Sequence, residues 1–172
     1  MARRKARVFL TGAVLAASLL VTVFAQAASG PRLEGVFKVK IKVIHSGPNS
    51  IYDAGETLRR HWQFFPKCPE GACVETILKR QTAESHRFIV LGRRGPGMYA
   101  GVTTFVAPSH DDRCHFRYHD EFGLRVTGAR RIGGERRVTR MRIKLVQRMT
   151  SSDCRIEPRE QLLVAQVYGR LR

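Results

Sequence analysis

The densest run of reactive side chains in this sequence is His110-Asp111-Asp112-Arg113-Cys114-His115-Phe116-Arg117-Tyr118-His119-Asp120-Glu121. Imidazoles beside carboxylates are the ingredients of acid–base or metal chemistry. Spacing decides whether they can converge. On a helix His115 and His119 would share a face; on a strand they stand about 13 Å apart at ~3.3 Å per residue. Phe116, Tyr118 and Phe122 alternate, which predicts a strand. The run therefore reads as a loop entering the solvent face of a strand, with no catalytic or metal site. Asp120 is different, because it shares the parity of Tyr118 and Phe122. If that face points inward, its carboxylate is buried and needs a partner, and an arginine is expected. The pair would be either structural or the polar group of a ligand pocket.

A second candidate is Arg60, which has the parity of Leu58, Trp62 and Phe64. Turned inward, it would stack on Trp62 and could meet an anionic ligand at a barrel mouth. Turned outward, it is a strand-end arginine reaching water. No nucleophile stands out, since no G-x-S-x-G occurs and the serines lie in turns or at strand ends without an adjacent base. The glycines between positions 92 and 97 lack the G-K-[ST] ending of a phosphate loop, and no cofactor is expected.

Charge is the other chemical feature. Thirty-one Lys and Arg against fourteen Asp and Glu give a formal charge of +17. Lys38, Lys40 and Lys42 form one cationic stripe; Arg140, Arg142 and Lys144 form another. Such stripes attract polyanions: wall polymers, anionic lipid head groups or extracellular nucleic acid. No aromatic residues interleave them, which disfavours specific nucleic-acid recognition. The competing reading is a solvated face that keeps the protein soluble, with arginine usage set by genome composition.

These residues must be positioned by strands. Residues 37–43 alternate apolar and cationic side chains, as a half-buried strand requires. Similar segments cover 58–65, 74–81, 87–91, 98–106, 116–126, 138–149 and 162–171, with 92–97 read as a turn. Sequential strands with short connections pair as antiparallel neighbours. Closing the meander removes its edges, so an all-β, up-and-down barrel of about eight strands is expected. A two-sheet sandwich is the alternative. Residues 28–33 read as a loose lead into the first strand.

The thiols and the N-terminus bear on location. Residues 1–7 carry four cations, 8–24 are apolar, and Ala25-Gln26-Ala27 supplies small residues before a cut. This is the pattern of a secretory signal peptide over 1–27, leaving 28–172 as one secreted domain with no transmembrane segment. An uncleaved anchor is the competing reading. Four cysteines, Cys68, Cys73, Cys114 and Cys154, suit an oxidising compartment and allow three pairings. The Pro- and Gly-containing turn between Cys68 and Cys73 favours that bridge, which leaves Cys114 with Cys154. Zinc is the disfavoured alternative, because the spacing is not C-x-x-C.

Trp62-Gln63-Phe64-Phe65-Pro66-Lys67-Cys68-Pro69-Glu70-Gly71-Ala72-Cys73, followed by Tyr99-Ala100-Gly101 and two later cysteines, resembles a group of small exported actinobacterial-type proteins with a W-x-F-x-P-x-C-x-x-G-x-C hairpin. The resemblance implies fold and location, not an activity. By architecture the chain is also similar to lipocalins, with Gly35-Val36-Phe37 at their opening Gly-x-Trp and Phe in place of Trp. The expectation is an exported, non-enzymatic binding barrel. A small-molecule carrier is the alternative, and a hydrolase built on the His/Asp run is a more distant one.

Overall fold

A computed structural model describes residues 30–47, 50, 52–81, 86–108, 113–153 and 162–172. Eight antiparallel strands close into one barrel in simple chain order. They are β1 Gly35–His45, β2 Thr57–Pro66, β3 Glu75–Gln81, β4 His86–Gly95, β5 Met98–Pro108, β6 His115–Ile132, β7 Glu135–Ser152 and β8 Leu162–Leu171. Strand β1 pairs with both β2 and β8, which completes the ring. The described residues contain no helix. The expected signal peptide, residues 1–27, lies outside them.

Alternation generates the wall. Along β1, Phe37, Val39, Ile41 and Val43 are buried while Lys38, Lys40 and Lys42 are exposed. The same phase in β7 buries Met141, Ile143 and Leu145 and exposes Arg140, Arg142 and Lys144. Large side chains from many strands meet in the interior; Phe37 and Phe64, for example, pack edge-on at 5.3 Å. Burying side chains of this size stabilises by about 1.5–3 kcal/mol each before chain entropy is set against it.

Two long strands extend beyond their expected limits. Strands β6 and β7 pair from Phe116↔Ser152 down to Ile132↔Glu135. Gly133 and Gly134 join them, both with positive φ (60° and 84°). A two-residue hairpin of this hand needs that conformation twice, which glycine adopts at no steric cost. The expected turn at 92–97 is corrected: Gly92 and Arg93 pair with Ala100 and Tyr99, so strand continues to Gly95 and only Pro96-Gly97 turns.

The barrel has two unlike ends. At the end holding the 96–97 and 133–134 turns, the chain before β1 is packed rather than loose, which corrects that expectation. Leu33 is 1% exposed, and Arg32 is buried. The backbone of Arg32 bonds to Arg136 and Val138, while its guanidinium donates to Glu34 (2.8 Å) and to the Cys68 carbonyl (3.0 Å). Burial of Leu33 and the pairing of a cation that hydropathy marks as exposed close this end. The Cys68–Cys73 disulfide stands at the same end, in the β2–β3 hairpin. Cys114 is also disulfide-bonded; Cys154 lies outside the described residues. The opposite end, where β3 meets β4 and β5 meets β6, we call the mouth; most of its connecting residues lie outside the described ones.

Candidate functional site

The first site is the outer face. Strand register turns the two cationic stripes into one surface, because β8 is the only strand between β1 and β7. Lys40 lies between Arg59 of β2 and Tyr168 of β8; Tyr168 faces Arg142 of β7, and Arg142 faces Arg125 of β6. One step toward the closed end, Lys38 lies between His61 and Arg170, and Arg170 faces Arg140. One step toward the mouth, Lys42 lies between Thr57 and Gln166, and Gln166 faces Lys144. No acid occupies these three rows. Beside them an open depression of about 190 Å³ is lined by Arg130, Thr139, Arg140, Arg170 and Leu171.

Aromatic side chains are not absent from this face, as the sequence suggests. Tyr168 sits between the stripes, 38% exposed, with the Arg142 guanidinium carbon 5.5 Å from its ring centroid. Its hydroxyl donates to Gln166 Oε1 at 2.7 Å. Along the chain Tyr168 comes well after the second stripe and far from the first, so only pairing reveals the neighbourhood.

The second site is inside the mouth. Asp120 is fully buried and does take an arginine: Arg80 Nη1 donates to Oδ2 at 2.8 Å, and Gln147 Nε2 donates to Oδ1 at 2.8 Å. The Arg80 guanidinium carbon lies 5.3 Å from Trp62 and 5.4 Å from Phe122. Its Nε is buried with no hydrogen-bond partner. Arg87 stands opposite Arg80 in the β3–β4 register, and its guanidinium carbon is 3.3 Å from the Phe105 centroid. Phe105 in turn stacks on Tyr118 at 5.1 Å. Burial, and then the nearby Arg80 charge, hold the Arg87 pKa below the ordinary arginine value; Asp120 and Tyr52 act in the opposite sense. Burial also pushes the Tyr118 phenol up.

No protein-family model, curated protein or solved structure matches this chain. The site must therefore be read from its own geometry.

Arg60, the fourth residue of β2, is exposed and donates to the Arg59 carbonyl at 3.0 Å, so it reaches water, and Arg80 takes the place over Trp62. Arg80 and Arg87 escaped the sequence reading, although Thr76, Leu78 and Arg80 share one parity and Arg87 shares that of Ile89 and Leu91. A basic residue in an arginine-rich chain draws no notice until its neighbours are known. The histidines do not converge. His115 approaches Asp153 at 3.5 Å, and His119 approaches Glu121 at 3.9 Å. Among the described residues, no group of three or more His, Cys, Asp or Glu could hold a metal. His110, Asp111 and Asp112 lie outside those residues.

Proposed function

We propose that this chain is an exported, non-enzymatic binding protein that holds an extended anionic polymer of the cell envelope against its outer β2–β1–β8–β7–β6 face. One observation carries this reading: three adjacent rows of that face hold exposed cations and no acid. Like charges directly opposite on neighbouring strands destabilise a sheet. Arg140 faces Arg170, and Arg125 faces Arg142, so the face carries that cost until an anion neutralises it. Along the strands the cations repeat at about 6.7 Å; across them they stand about 4.8 Å apart, or about twice that where Tyr168 or Gln166 intervenes, a curved lattice that a flexible chain of phosphates can follow.

Binding of linear polyphosphate across a salt series tests the proposal. Log affinity should fall steeply and linearly with log salt concentration, because each neutralised phosphate releases counter-ions. The double substitution Lys40→Glu, Arg142→Glu should weaken binding by roughly tenfold or more. Affinity indifferent to ionic strength, or unchanged in the double variant, overturns the reading. Tighter binding to phosphatidylglycerol vesicles or to single-stranded DNA, at equal charge, would move the assignment to those partners. Export has its own check: the mature N-terminus recovered outside the cell should be Ala28.

A further inference from the structure

The mouth carries a charge excess of its own. Among the described residues the guanidiniums of Arg80 and Arg87 face one carboxylate there, and Asp120 bonds to Arg80 and Gln147. Arg87 has no acidic partner among the described residues; its close neighbour is the Phe105 ring. Arg80 keeps only 14% of its side chain exposed, yet its Nε finds no acceptor. A buried donor left unmade costs about 1–3 kcal/mol, so two arginines at one half-buried spot are short of one acceptor group.

The walls say what that group is attached to. Phe105, Tyr118 and Phe116 form a run of rings at 5.1 and 6.2 Å spacing, all half-buried on the inner side. Trp62 and Phe122 continue it inward, 6.4 Å apart. We infer that the mouth binds a small aromatic monocarboxylate, with its carboxylate on Arg87 and Arg80 and its ring against Phe105 and Tyr118. Guanidinium presents a planar fork that matches a carboxylate with two parallel hydrogen bonds. A single carboxylate would balance Arg87 as Asp120 balances Arg80. None of these residues belongs to the outer face, so this site stands or falls separately from the polymer-binding reading.

Calorimetric titration with 3-phenylpropanoate, and with 3-phenylpropanol as its uncharged counterpart, tests the inference. Emission from Trp62, the single tryptophan, supplies a second readout because Arg80 lies over its ring. The carboxylate should bind, change that emission and exceed the alcohol in affinity by roughly tenfold or more. Arg87→Gln should remove that advantage, Arg87→Lys should keep part of it, and Phe105→Leu should weaken both ligands. The outer-face double variant should bind as the parent does. No binding, equal affinity for acid and alcohol, or unaltered affinity in a folded Arg87→Gln protein overturns the site. Loss of binding in the outer-face variant also overturns it, by placing the carboxylate on the wrong surface.

Discussion

Across β1, β8 and β7 the cations point to solvent and the apolar side chains point in. At the mouth end of β3 and β4 the arrangement is reversed: Arg80 and Arg87 point in, while Phe88 and Val90 point out, Phe88 being 61% exposed. Val102 and Val106 of β5 extend this outer apolar strip, with Val102 63% exposed. In an eight-strand ring the β4–β5 junction lies across from the β8–β1 junction, so the two regions occupy opposite sides. Their pairing differs as well. The β6–β7 ladder runs nearly the full length of both strands, whereas β4 and β5 pair only at Gly92↔Ala100, Arg93↔Tyr99 and Gly95↔Met98. Beyond that point the strands stay close without a ladder. A Cβ on Gly101 would collide with the Val90 carbonyl oxygen, and Arg87 stacks on Phe105 across the junction. Net charge alone predicts neither region. What matters is which side of the sheet a cation faces, and whether a carboxylate waits there.

The comparison breaks most sharply at Asp120. Replacing it with Ala leaves Arg80 between two aromatic rings without its acid, a change expected to cost about 3–5 kcal/mol in urea unfolding. A loss below about 1 kcal/mol would show that the mouth is as wet as the outer face. Next in size is local stability. Amide exchange along the mouth half of β4 should report opening about 2–3 kcal/mol easier than in the centre of β6 and β7, because one side of β4 lacks ladder bonds. Uniform protection would erase the contrast. On the basic side the sign reverses: Arg142→Thr relieves repulsion from Arg125 and should stabilise by up to about 0.5 kcal/mol at low salt, with the gain vanishing at high salt. The smallest effect concerns alkaline pH. Burial raises the phenol pKa values of Tyr99 and Tyr118 above the ordinary 10.0, so their contribution to stability is intact below pH 10 and fades as pH climbs through the raised values. Ultraviolet titration should show Tyr99 and Tyr118 ionising late.

Period-two hydrophobicity made the strands legible, because each has a wet side and a dry side. Phe37, Val39, Ile41 and Val43 declare β1 as plainly as the lysines between them. Closure followed from the physics of unpaired edges. The demand of Asp120 for an arginine was legible from parity alone, but which arginine was not. Arg60 and Arg80 both carry inward parity, and only cross-strand neighbours decide that Arg60 reaches water while Arg80 stays over Trp62. Residues 92–95 were hidden for another reason: glycines and arginines read as turn, yet backbone pairing asks nothing of their side chains. The packed segment around Arg32 and Leu33 was missed because so short a stretch carries no period to read.

Both termini of the described chain leave from one pole. Gly30 precedes the plugged segment, and the Arg172 amide bonds to Val36 at the start of β1. Anything joined directly at Gly30 or at Arg172 is therefore held at that pole, with Phe105 and Tyr118 toward the other. A protein anchored this way directs Arg80, Arg87 and the rings beside them away from the support, and the cationic side stands upright beside it.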